Sequence, residues 1–253
     1  MKMTFLGTGT SQGVPVIGCN CPVCRSADVR DKRLRASALL ETEGKVLLVD
    51  AGPDFRQQLL RERVRQLDGI LLTHEHKDHI AGLDDVRAFN HITGKPVDVY
   101  AEQRVLKALK REFRYVFSKT KYPGAPEMTL HVIGENRFRA ADVPVTPIRL
   151  WHHRLPVLGF RIDNLAYITD VNKVEHEEFA KLKHLEALVV GTVRRGKHVS
   201  HFSLEEALAF IAKVNPRTAY LTHLSHQFET HAELQASLPA GVQVAYDGLE
   251  IKL

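Results

Sequence analysis

Cysteine is scarce in this 253-residue chain: there are only three, and all lie in Cys19-Asn20-Cys21-Pro22-Val23-Cys24. An odd number in so short a window excludes a disulfide framework. In a reducing compartment a metal site is the better use of clustered thiols. Long apolar runs are also missing. The strongest, Ile70-Leu71-Leu72 and Leu188-Val189-Val190, are far too short to span a bilayer. Residues 1–7 lack the apolar stretch and cleavage site of a signal peptide, so a cytoplasmic protein with no membrane partner is expected. No low-complexity tract, internal repeat or Ser/Gly linker appears, and hence no domain boundary. At about 150 residues per domain the length suits one large domain or two small ones. Without a boundary, a single domain over residues 1–253 is expected, long enough to bury a sizeable core.

Histidine, in contrast, is abundant at 14 residues, and 35 Lys+Arg against 30 Asp+Glu leave a net charge of +5. Mild basicity suits an anionic partner such as a phosphate ester or nucleic acid without demanding one. Short β-rich runs alternate with helical patterns, which predicts a layered α/β fold. Strands are expected at 2–6, 37–42, 45–50, 69–73, 97–101, 143–150, 157–162, 165–169, 186–190, 218–222 and 242–246. Helices are expected at 54–64, 78–90, 102–116, 173–182, 203–213 and 230–237. Ser203 and Glu206 form a capping-box pattern at the start of the fifth helix. Residues 119–127 read as a loop, either an active-site flap or a rigid turn.

The most informative stretch is Leu71-Leu72-Thr73-His74-Glu75-His76-Lys77-Asp78-His79. His74 and His76 are two apart in an extended segment, so both can face one side. The chain then turns into a helix whose first turn carries Asp78 and His79. Two ligand clusters a few Å apart suit two metal ions with a shared ligand. Asp50, His152, Asp170 and His223 each sit just beyond an expected strand's C-terminal end, where open α/β sheets collect ligands. The thiols of Cys19, Cys21 and Cys24 are soft donors, and a closed zinc site needs a fourth ligand, which must come from a histidine. The glycines at 7, 9 and 13 do not spell a dinucleotide fingerprint and read as turn residues.

Asp50, His74-x-His76-x-Asp78-His79, His152, Asp170 and His223 together resemble the ordered motifs of the metallo-β-lactamase superfamily over the whole chain. The resemblance implies an αββα metallo-β-lactamase sandwich with two divalent ions, manganese, zinc or iron, at one edge. His74, His76 and His152 would hold the first ion, and Asp78, His79 and His223 the second. Asp170 would bridge both, and Asp50 would orient a ligand. His153 is the neighbour that competes with His152; the distance to Leu155-Pro156-Val157-Leu158-Gly159 selects His152. Gly7-Thr8-Gly9-Thr10-Ser11-Gln12-Gly13, the cysteine cluster, His201 and His226 narrow the resemblance to the PhnP-type phosphodiesterases, which act on phosphoribosyl 1,2-cyclic phosphate. There Cys19, Cys21, Cys24 and His226 would form a separate structural zinc site.

The expected activity is hydrolysis of a small cyclic phosphodiester. Two cations would lower the pKa of a bridging water, Asp78 would accept a hydrogen bond from the resulting hydroxide, and His201 would be the general acid, with His198 as its rival. Arg194-Arg195-Gly196-Lys197 reads either as a phosphate grip or as a solvated turn. Arg104, Lys107, Lys110, Arg111, Arg114, Lys119 and Lys121 make 104–121 basic, read here as a solvated helix face rather than a polyanion footprint. A transfer-RNA 3′-end processing endonuclease is the main alternative: it shares the ligands, but no long arm for gripping transfer RNA is evident. A non-hydrolytic relative, such as the pyrroloquinoline quinone accessory protein, is the other; such relatives often lack ligands, whereas every position is filled here. A homodimer is common for the expected fold.

Overall fold

The computed structural model describes every residue except Lys121. The strands are β1 (Lys2–Gly7), β2 (Ser37–Thr42), β3 (Lys45–Val49), β4 (Gly69–Leu71), β5 (Val97–Glu102), β6 (Met128–Ile133), β7 (Phe138–Ala140), β8 (Val143–His152), β9 (Leu155–Ile162), β10 (Leu165–Ile168), β11 (Lys173–Val174), β12 (Ala187–Gly191), β13 (Thr218–Thr222), β14 (Val242–Val244) and β15 (Glu250–Lys252). The α-helices are α1 (Pro22–Arg25), α2 (Phe55–Arg61), α3 (Lys77–Ile80), α4 (Arg87–Thr93), α5 (Gln103–Glu112), α6 (Leu204–Val214) and α7 (His231–Ala236). One sheet runs β15-β1-β2-β3-β4-β5-β6 and the other β11-β8-β9-β10-β12-β13-β14, with β7 paired to β8. No helix among the described residues is long and apolar enough to cross a membrane.

Alternation along the strands builds the layers. On β3, Leu47 and Val49 pack between the sheets with Phe5, Phe160 and Tyr167. Leu48 faces the opposite way, into a cluster with Phe55, Leu59, Phe89, Leu106 and Leu109 of α2, α4 and α5. The second sheet repeats the arrangement. Val189 is turned inward, and Leu188 and Val190 outward against Phe210 and Ile211 of α6. Strands apolar on both faces are what a sheet covered on both sides requires. The order of layers is therefore αββα, as the resemblance implied.

Several expected elements differ. The helix expected at 173–182 is instead β11 followed by a 3-10 segment, His176–Leu182. Lys173 and Val174 pair with Trp151 and Leu150 on β8, so ladder bonding overrides a weak helical pattern. The helix expected at 78–90 is split into α3, a 3-10 turn Leu83–Val86 and α4. Gly82 packs on the Gly52 carbonyl so tightly that a Cβ would lie 2.1 Å from it, and this contact sets the break. The strands β6, β7, β11 and β15 and the short helix α1 escaped the sequence patterns. The described residues of 119–127 form no helix or strand; Lys121, counted in the basic segment, lies outside the described residues. The capping box at Ser203 and Glu206 is formed, and a second one links Thr230 and Glu233 ahead of α7.

Strands β3, β4, β5 and β6 run parallel, as do β10, β12, β13 and β14. The C-terminal ends of β3, β4, β8, β10 and β13 lie at one edge of the sandwich. There Leu158 N–H of β9 donates to the Thr73 carbonyl at 3.1 Å, tying the two sheets together.

Candidate metal centre

Three residues leave their strands in the left-handed region: Asp50 at φ 61°, Asp170 at φ 39° and His223 at φ 59°. For non-glycine residues each such turn costs roughly 1–3 kcal/mol. The strain occurs where β3, β10 and β13 end, and the three side chains meet other candidate ligands there. Nε2 of His223 lies 3.1 Å from Oδ1 of Asp170, and Nε2 of His79 lies 3.3 Å from the same oxygen. Asp78 Oδ2 is 3.2 Å from His79 Nε2. On the other side of Asp170, His74 Nε2 approaches Oδ2 at 3.9 Å and faces His76 Nδ1 at 2.9 Å.

Ligand atoms therefore gather in overlapping groups: Asp78, His79, Asp170 and His223; His74, His76 and Asp170; and His152, Asp170 and His201. Within each group they lie inside 4.8 Å of one another, and Asp170 belongs to all three. His153 is exposed on the turn after β8, whereas His152 is buried with its Nδ1–H donating to the Ser200 carbonyl at 2.7 Å. His201 is buried, and His198, 5.0 Å away between ring centres, is only partly covered.

Asp50 organises two of these histidines. Its carboxylate accepts from the Thr73 N–H and the Thr73 hydroxyl, both at 2.8 Å, and from His79 Nδ1 at 2.6 Å. Burial pushes the Asp50 carboxyl up while His79 and the Thr73 donors oppose it; with three donors aimed at it, Asp50 acts here as a carboxylate that only accepts. The Thr73 hydroxyl spends its one proton on Asp50, so its contact with His74 Nδ1 at 2.9 Å must be an acceptance from His74. As neutral metal ligands, His74 and His79 would thus carry their proton on Nδ1 and turn Nε2 to the cluster. Asp50 was legible as a supporting acceptor; the Thr73 hydroxyl between it and His74 was not, because a threonine ending a strand is ordinary.

The donor set fits divalent cations. Burial works against His79 taking a proton, yet Asp170, Asp50 and Asp78 together raise it well above the usual imidazole range. Burial also opposes ionisation of Asp170, but His223, His79 and His74 hold its carboxyl well below the usual range. Burial lowers His74 and His152. One imidazolium against the three carboxylates Asp50, Asp78 and Asp170 leaves a negative excess that only added cations can offset in so buried a place. His79 Nε2 and both ring nitrogens of His223 are buried without a hydrogen-bond partner, as ligand atoms awaiting a cation would be.

The thiols converge separately. Cys19 Sγ and Cys21 Sγ lie 3.2 and 3.5 Å from His226 Nδ1, and Cys24 completes a four-residue group. The Cys24 N–H donates to Cys21 Sγ and, despite opposing burial, this and the neighbouring groups pull the Cys21 thiol down to about 6. Burial pushes Cys24 up to about 11. Three sulfurs and one imidazole fit a closed tetrahedral zinc site. A cavity of about 190 Å³ lies between the two centres, with His201 and His223 on one wall and Gln12, His226 and Gln227 on the other.

Comparison with known proteins places this arrangement. The crystal structure of a diphosphatase described as new and from the PhnP family superposes with a TM-score of 0.93 at 37% identity, over 99% of this chain and 96% of that one. An octanoyltransferase from Porphyromonas gingivalis is 44% identical over 253 residues, 99% of this chain but 51% of that protein. A ribonuclease Z from a Nostoc species is 28% identical over 204 residues, 79% of this chain and 57% of that protein. The chain thus spans about half the length of these two curated relatives. The model of the β-lactamase superfamily domain matches residues 45–224. With that match and the PhnP-family likeness over nearly both full lengths, the chain belongs to the β-lactamase superfamily, among its metallo-β-lactamase-fold hydrolases, and within them to the PhnP family.

Proposed function

We propose that the chain folds as one domain and hydrolyses a small phosphodiester, phosphoribosyl 1,2-cyclic phosphate or a close analogue, at a two-metal centre. The observation that carries the reading is Asp170, one buried carboxylate common to a His74–His76 group and an Asp78–His79–His223 group. His152, grouped with Asp170 and His201, has its ring 5.2 Å from that of His76 and would complete the first ligand set. Two divalent ions held there supply Lewis acidity toward a water and a phosphoryl oxygen; manganese, zinc and iron all suit such donors.

The chain's own residues do the rest. Asp78, held ionised mainly by His79 and His223 despite its burial, accepts a hydrogen bond from the attacking water and aligns it. Burial and His223 push His201 down to about 3; an anionic phosphate facing it opposes that shift. When protonated, His201 is placed to give the leaving alkoxide its proton. His198 lines the same cavity but is less buried than His201. Cys19, Cys21, Cys24 and His226 would hold a structural zinc, which would brace the far wall of the cavity.

The test is phosphorus NMR of the manganese-loaded protein with phosphoribosyl 1,2-cyclic phosphate. The cyclic-ester signal is expected to disappear and a monoester signal to grow, with neither change in Asp170→Asn. A protein that retains its metals and leaves the cyclic ester intact overturns the reading. A second reading, an RNA diesterase, is favoured by one observation: Lys107, Lys110, Arg111 and Arg114 on α5 and the turn after it are exposed and, among the described residues, make no ion pair. It predicts cleavage of RNA that weakens steeply with added salt.

A further inference from the structure

Between the candidate ligands His74, His76 and Asp78 stand Glu75 and Lys77. Both are ion-paired to α5, with the charges crossed: Glu75 to Arg104 in its first turn and Lys77 to Glu112 at its end. The two pairs differ in what they can hold. The Lys77 and Glu112 side chains are 61% and 43% exposed, and a pair so open to water constrains little. Glu75 and Arg104 are 22% and 33% exposed. Arg104 also has a second partner, because its Nη2 donates to the Pro156 carbonyl. Glu102, 3.9 Å from the same nitrogen, is itself bound by Arg149 of β8 at 3.0 Å.

These contacts matter most for His76. His74, His79 and His152 each have Nδ1 bonded to an oxygen, of Thr73, Asp50 and Ser200 respectively. His76 is the exposed member of its group. Among the described residues its ring meets only His74 Nε2, itself a candidate ligand atom. No carboxylate, carbonyl or hydroxyl orients it. A ligand has to be held to within about 0.5 Å, so the restraint on His76 must come through its backbone, from Glu75.

The guanidinium joins two ligand-bearing segments. Pro156 pairs with Trp151 across the β8–β9 hairpin, next to the His152–Leu155 pair. Arg104 therefore ties the loop that carries His76 to the hairpin that carries His152, and the two rings stand 5.2 Å apart. The backbone bond from Leu158 N–H to the Thr73 carbonyl closes the other end of the same junction.

We propose that Arg104 is a positioning residue for the metal centre: by gripping Glu75 and the Pro156 carbonyl together it sets the gap between His76 and His152, and so the affinity for the ion on that side. The inference rests on the two-ion reading of the centre. Arg104 acts through the two histidines and does not itself touch the ion. A lysine carries the charge but lacks the fork needed to reach both partners.

The test follows the histidine rings by NMR during a titration with buffered zinc, in the parent, Arg104→Met, Arg104→Lys and Glu75→Gln. In Arg104→Met the His76 and His152 rings are expected to need about tenfold more free zinc for half-saturation, while His79 and His223 respond as in the parent. Arg104→Lys is expected to recover part of the loss. Glu75→Gln keeps Arg104 on Pro156 and is expected to show the same split, and it carries the comparison if Arg104→Met does not fold. The double variant Glu75→Gln/Arg104→Met is expected to lose no more than Arg104→Met alone, as residues acting through one contact do. Unchanged titration of His76 and His152, or equal weakening of both pairs of rings, overturns the proposal. If the His76 and His152 rings of the parent do not respond to zinc, the two-ion reading fails, and the proposal with it.

Discussion

Thr73 does more at the site than its place at a strand end suggests. Its backbone and hydroxyl both bind Asp50, and its oxygen receives the His74 proton. Through it one carboxylate orients a ligand in each half of the cluster, His79 directly and His74 by relay. Replacing Thr73 by Val leaves the His74 N–H without an acceptor and Asp50 short of one donor. Metal affinity, measured by chelator competition with elemental analysis, is expected to fall about 10- to 100-fold. Thr73→Ser keeps the hydroxyl and is expected to retain most of the affinity. His201 offers a second expectation. If it protonates the leaving group, His201→Ala lowers turnover far more on an alkyl diester than on a nitrophenyl diester, whose leaving group needs no proton; equal losses refute the acid role.

At the scale of elements, the ligand loop is held by close backbone packing. A Cβ on Gly52 would lie 2.0 Å from the Asp78 carbonyl oxygen, so Gly52→Ala must push α3 away from the turn that follows β3. A loss of about 2–4 kcal/mol in unfolding free energy is expected in denaturant titrations, along with weaker metal binding, because Asp78 and His79 ride on α3. Little of this was legible. The motif announced a strand, a turn and a helix, but the helix is only Lys77–Ile80, and its break depends on Gly52 and Gly82 meeting across 30 residues of chain. The β8–β9 hairpin shows the same limit: 143–150 and 157–162 read as separate strands, yet pairing extends through His152 and Leu155. That extension is what carries His152 into the site and leaves His153 on the turn.

Across the whole molecule a buried polar network joins distant parts of the chain. Arg33 donates to the Thr8 hydroxyl and the Ala245 carbonyl and contacts His231 Nδ1 at 3.3 Å; Asp247 accepts from Thr8 and from the Leu34 N–H. Burial, then Arg33, pushes His231 down to about 4 from 6.5. The unfolded chain takes up that proton first, so His231 contributes stability present above pH 6.5 and lost as pH falls toward 4. Burial pushes Asp247 up to about 6 from 3.8. Its contribution has the opposite sign, present below pH 3.8 and lost as pH rises toward 6. The two slopes oppose each other in the parent. Relative to the parent, His231→Gln is expected to lose about 2 kcal/mol as pH rises from 4 to 6.5, and Asp247→Asn to gain a similar amount between 4 and 6. Denaturant midpoints across that window check both signs.

The layered α/β class, the superfamily and a set of candidate ligands were legible in the sequence. Those depend on local facts: apolar alternation, residue type at strand ends, and the tight spacing from His74 to His79. Cys19, Cys21 and Cys24 pointed to a metal site, and the need for a fourth donor pointed to a histidine. Only the tertiary structure decided which groups meet. Asp170 becomes common to all three ligand groups, and Thr73 becomes a relay. Each outcome depends on packing between segments 20 to 150 residues apart in sequence, where chain closure and side-chain fit, rather than local preference, set the distances.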